Sequence, residues 1–239
     1  MRRYVNLPRI QRNHNTGRFL VFSGLALLAG GFIYSLNNRE DVTTVLLVAV
    51  LGTLTSQFGI AMMNKWGRSP REDERIDAAL KGLDDRWAIL HYAGPTNHLL
   101  IGPPGTLTLV PQDQEGTITY EEDQWIQDKP SGGLLRRGGR KQLGNIGRKA
   151  TREVSNANVF LNSHFASEEE EPYQAEPLLV FLNDEANLKV KESDIPIPAV
   201  HYKKIKDRLR RLPSGEAPPS EIVDQLAQRM DLADPAAEE

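Results

Sequence analysis

Residues Thr96–Gly116, TNHLLIGPPGTLTLVPQDQEG, hold two apolar runs, His98–Ile101 and Thr106–Val110, separated by Gly102-Pro103-Pro104-Gly105. Proline presets a turn dihedral and glycine accepts the backbone conformations that side chains resist, so the arrangement predicts a β-hairpin. Beyond it, Pro111–Gly116 has the polar composition of a solvated loop. Toward the N-terminus, Trp87–Tyr92 (WAILHY) reads as a strand closed by Gly94-Pro95. Before that strand, Ile76, Ala79, Leu80 and Leu83 fall at helical spacing, with Asp73 and Glu74 in the first turn.

Toward the C-terminus, Thr117–Tyr120 reads as a short strand and Leu143–Phe165 as a helix with a weak apolar face. Leu178–Leu182 (LLVFL) is a strand, a shorter one lies near Leu188–Val190, and Val200–Leu212 reads as a basic amphipathic helix. After Pro213, a linker rich in Pro, Ser and Gly leads to a short helix around Ser220–Asp231 and an acidic tail expected to be disordered. The fold class expected for residues 72–212 is α/β: a mixed sheet flanked by helices. In such a sheet the His98–Val110 hairpin is central and lies beside Leu178–Leu182.

The N-terminal third is different in character. Phe19–Leu36 is 18 residues and Val42–Met63 is 22 residues without a charge. A helix needs roughly 17–25 such residues to cross a bilayer. Only Asn37–Asp41 separate the two runs, so they are expected to form an antiparallel transmembrane hairpin. A buried hairpin in a soluble core is the alternative, disfavoured because both runs are apolar all round. Arg2, Arg3, Arg9, Arg12 and Arg18 precede the first span, Lys65, Arg68 and Arg71 follow the second, and Arg39 alone lies between. Positive flanks stay cytoplasmic, which places both termini there in a multi-pass protein of the cell membrane. The expected layout is a basic N-terminus (residues 1–18), two spans (19–36 and 42–63), a linker (64–71), the α/β domain (72–212) and a tail (213–239). Ala26/Gly30 and Gly52/Ser56 have the spacing that lets helices approach closely, within the hairpin or between copies in a homo-oligomer.

Net charge is −3, so bulk charge does not point to nucleic acid or acidic lipid. The chain has no cysteine, which excludes disulfides, thiol catalysis and zinc ribbons. Its five histidines include no i, i+4 pair, and there is no G-x-S-x-G elbow, Walker loop or dinucleotide fingerprint. Nothing in the sequence gives reason to expect a bound cofactor. The basic stretch 129–149 contains Arg136, Arg137, Arg140, Lys141, Arg148 and Lys149, candidates for contact with nucleic-acid phosphates or anionic lipid headgroups.

The order of elements, with Asp73, Ile76, Leu80 and Leu83, WAILHYA, NHLLIGPPG, Gly116 and PLLVF, resembles the nuclease-related (NERD) domain over residues 72–212. That family is a branch of the restriction-endonuclease-like fold, and its bacterial members often carry transmembrane helices, which suits an inner-membrane protein. The resemblance implies metal-dependent phosphodiester cleavage by an Asp opening the first hairpin strand and a Glu-x-Lys ending the second. Here those positions hold Asn97, Val110 and Gln112. An Asn-Pro pair followed by Gln, frequent in the family, is replaced by Asn145-Ile146 with Lys149 or Thr151 beyond. Val110 offers no metal ligand and Gln112 no positive charge. The expectation is a catalytically degenerate, membrane-anchored binding or scaffolding module with no catalytic or metal residues. The alternative is a Mg²⁺-dependent nuclease with displaced acids, assembled from Asp73, Asp113 and Glu115.

Overall fold

A computed structural model describes residues 1–129, 139–144, 146–165 and 172–233. The chain divides into two compact units, residues 7–71 and residues 1–6 with 72–239.

The first unit is a pair of helices, α1 (Leu7–Asn37) and α2 (Val42–Gly67). Both are long and apolar enough to cross a membrane. α1 runs well beyond its charge-free stretch and takes in Arg9, Arg12 and Arg18. Asp41 caps α2 by accepting a hydrogen bond from the Thr44 amide at 3.1 Å. Large side chains point outward: Phe19, Phe22, Phe32 and Phe58 are all more than 60% exposed. The buried positions in α1 are Ile10 and the glycines Gly17, Gly24 and Gly31, the glycines seven residues apart; Gly17 faces Gly59, Gly24 faces Ser56 and Gly52, and Gly31 faces Val48 of α2. A Cβ on Gly24 would lie 2.6 Å from the Ser56 amide nitrogen. Close backbone contact is therefore what joins these helices. Of the two expected small-residue pairs, Gly52/Ser56 lies in this seam, whereas Gly30 faces open space.

The second unit is mixed α/β. A six-stranded sheet has the order β1 (Arg2–Val5), β2 (Ala88–His91), β3 (His98–Gly102), β4 (Gly105–Gln112), β8 (Ala175–Phe181), β10 (Ala199–His201). The β2–β3–β4 meander is antiparallel, while β1 joins β2, β8 joins β4 and β10 joins β8 in parallel. The β3–β4 hairpin is thus central and beside β8. Its turn depends on glycine, since a Cβ on Gly102 would sit 2.2 Å from the Trp87 ring. A second sheet, β7 (Gly139–Gln142), β6 (Gln124–Lys129), β5 (Gly116–Glu121), β9 (Ala186–Leu188), grows from the far end of β4.

Alternation along the central strands sorts the core into two faces. Ile89, Leu100, Leu107, Leu109 and Val180 pack against α3 (Glu72–Leu80) and α5 (Ile205–Leu209). Leu90, Leu99 and Ile101 pack against α4 (Ile146–His164) and α6 (Ser220–Arg229). Val110, Leu179 and Phe181 continue that second face over the start of α4, meeting Ile146 and Ala150.

Two local expectations change, and the placement of the C-terminal helix, open in the sequence, becomes visible. Val200–Leu212 is not one helix: Val200 pairs with Val180 as strand β10, and only Ile205–Leu209 is α-helical. Pro111 and Gln112 are not a solvated loop, because both are buried and continue β4 opposite Val180 and Phe181 of β8. The C-terminal helix docks, burying Val223, Leu226 and Ala227, and Arg2 and Tyr4 of β1 both donate to Asp224 on it.

Candidate functional site

Asn97, Val110 and Gln112 belong to the same end of the β3–β4 hairpin and to the face covered by α4. Asn97 and Val110 are each committed in a way that metal catalysis does not use. Val110 is fully buried among Ile118, Ile146, Ala150, Leu179 and Phe181. Asn97 donates from its side-chain amide to Glu153 of α4 at 2.5 Å and from its backbone amide to the other carboxylate oxygen at 3.2 Å. A Mg²⁺ ion needs several oxygen ligands, and this position presents a valine methyl surface and an amide already tied down, so the residues do not fit the ion that the family resemblance implies.

The displaced acids are also engaged elsewhere. Asp113 pairs with Arg75 at 3.0 Å, and Glu115 with Lys129 at 3.2 Å. Asp73 is buried and accepts a hydrogen bond from the Tyr92 hydroxyl at 3.3 Å. Among the described residues, no three His, Asp or Glu side chains are preset to hold a metal.

Gln112 behaves differently. It is 5% exposed, and its Nε2 has no hydrogen-bond partner; nor has Oε1 of Gln114. Both residues line a cavity of about 320 Å³ shared with Lys141, Gln142, Gly144, Ile146 and Lys149. Ile146 is the first residue of α4, so the helix opens at the cavity wall. The Lys149 ammonium donates to the Pro111 carbonyl at 3.1 Å, which holds it beside the strand end. A buried amide donor, two lysines and the positive end of a 19-residue helix suit an oxyanion.

The structure divides the basic candidates. Lys141 and Lys149 share the cavity. Arg140 is on β7, ion-paired with Glu121, and Arg148 is exposed and does not line the cavity. Arg136 and Arg137 lie outside the described residues. Comparison with family models, curated proteins and solved structures finds no match to this chain.

Sequence alone marks Gln112 only as a neutral residue at the position of the family's lysine, and gives Glu153 no role. Strand alternation alone carries Gln112 onto the face of Val110 once β4 extends past Pro111. For Glu153 the signal is thinner: a lone acid on the apolar side of an amphipathic helix requires a buried partner.

Proposed function

We propose that this chain is a membrane-tethered, catalytically inactive NERD-like domain that binds the phosphate groups of nucleic acid at the Gln112–Lys149 cavity. The observation that carries the reading is the exchange of chemistry at the hairpin end: an apolar plug at Val110 where a carboxylate would hold metal, beside an unpartnered amide and two lysines. Phosphate binding needs donors and positive charge, which remain; water activation needs a metal, whose ligands do not. With the family resemblance in fold, the position of the cavity at the end of β4 favours a nucleic-acid phosphate over a lipid headgroup.

Membrane tethering is supported by the outward-facing apolar side chains of α1 and α2. A same-side arrangement of the termini is supported by strand pairing. Arg2–Val5, before the helices, is hydrogen-bonded to Ala88–His91, after them. A hairpin whose two ends enter one sheet leaves and returns on one side, and the arginine-rich flanks assign that side to the cytoplasm.

The direct test incubates the full chain, in detergent, with DNA and RNA in Mg²⁺ or Mn²⁺. Full length is required because β1 and α6 belong to the folded unit. No cleavage above background is expected. Cleavage that disappears in Asp113→Ala or Glu115→Ala would contradict the reading and establish the displaced-acid nuclease.

A further inference from the structure

The opposite face of the sheet carries a second polar cluster, away from the hairpin-end cavity. His91 and His98 are both fully buried, and their Nδ1 atoms are 2.7 Å apart. His91 Nε2 lies 3.0 Å from Asp77 Oδ1 on α3. Where Asp77 accepts from His91 Nε2–H, the lone pair at His91 Nδ1 accepts in turn from His98 Nδ1–H. His98 Nε2 is then left as a bare lone pair, and it has no hydrogen-bond partner.

That lone pair faces the carboxylate of Glu72, with 3.8 Å between Nε2 and Oε2. A hydrogen bond does not fill the gap, because 3.8 Å is too long for one. A metal ion suits it well. Two coordinate bonds of ~2.1 Å span up to about 4.2 Å when collinear, so a bent nitrogen–metal–oxygen bridge fits.

We propose that His98 Nε2 and Glu72 form a binding site for a divalent transition-metal ion of the Zn(II) class. An imidazole nitrogen with a carboxylate selects such ions over Mg²⁺ and Ca²⁺, which prefer all-oxygen sets. His91 and Asp77 form the supporting relay that a metal-bound histidine requires on its other nitrogen. Asp73, next to Glu72, adds negative charge to the same pocket, and water completes the coordination. The Glu72 side chain is 38% exposed, which gives the ion a route from solvent to a buried nitrogen.

The test uses the full chain in detergent, stripped with chelator. Zn(II) is titrated against a chromophoric chelator, and Co(II) is followed by its visible ligand-field bands. One equivalent is expected, with Co(II) bands in a nitrogen–oxygen environment. Glu72→Gln, on the half-exposed first turn of α3, should weaken binding about tenfold or more, and His91→Phe by roughly 10–100-fold. His98→Gln should abolish binding, and His201→Gln should leave it unchanged. Absence of stoichiometric binding, or binding that survives in Glu72→Gln with full affinity, overturns the proposal.

Discussion

At the scale of single residues, Val110 and His98 are the most informative positions. Val110→Glu places a charge among Ile146, Ala150, Leu179 and Phe181. It is expected to cost at least about 3 kcal/mol in chemical denaturation and to yield no nuclease activity. That Asn97, Val110 and Gln112 differ in charge from the residues the resemblance implies was legible in the sequence. The cavity was not. Gln112 lies just past Pro111, and a proline followed by polar residues resembles a loop until seven registered pairs with β8 carry it into the sheet. The histidine cluster was equally hidden, because His91 and His98 meet only through antiparallel pairing of β2 with β3. Their burial has a measurable consequence in metal-stripped protein. The His98 imidazole, ordinarily near 6.5, is pushed down to about 4 by burial, with Glu72 partly offsetting the effect. Between those pH values the unfolded chain binds a proton that the folded protein does not. Stability is therefore full above about pH 6.5 and declines toward pH 4, by on the order of 3 kcal/mol. Unfolding midpoints against pH should show this slope, and His98→Gln should flatten it.

At the scale of elements, small residues and one clamp set the packing. Gly24 meets Ser56 and Gly52 across the helical hairpin, whereas Gly30 meets nothing within 4 Å. Gly24→Leu should lower the thermal midpoint of helix unfolding in detergent, and Gly30→Leu should leave it nearly unchanged. Equal effects would contradict the packing. The N-terminal strand is held by Asp224, which accepts from Arg2 and, at 2.8 Å, from the Tyr4 hydroxyl. Because Asp224 is more than a third exposed, Asp224→Ala should cost only about 1–2 kcal/mol in equilibrium unfolding. Apolar periodicity exposed the central hairpin, β8 and α4 in advance. It missed β1, whose Arg2-Arg3-Tyr4-Val5 lacks an apolar alternation and is a strand because the edge of β2 recruits it. It also misread Val200–Leu212, where strand pairing to β8 at Val180 overrides a helical pattern of apolar residues.

At the scale of the whole molecule, the two units have different physics and one connectivity. The helical hairpin hides glycines and displays phenylalanines, the reverse of the α/β unit, which buries its large apolar side chains in three clusters. Since the chain lacks cysteine, an introduced one is a unique label. In sealed vesicles, Asn38→Cys and Lys191→Cys should react with a membrane-impermeant thiol reagent from opposite sides, and labelling of both from one side would exclude the spanning hairpin. The central proposal is that the chain binds nucleic-acid phosphate without cleaving it. It is tested most directly by the salt dependence of duplex DNA binding to the full chain in Mg²⁺, with substrate length monitored in the same reaction. Neutralising Lys141 and Lys149 together (K141Q, K149Q) should reduce the slope of log K against log salt by about 2, with the DNA intact throughout. A slope indifferent to both lysines, or shortening of the DNA, would contradict it.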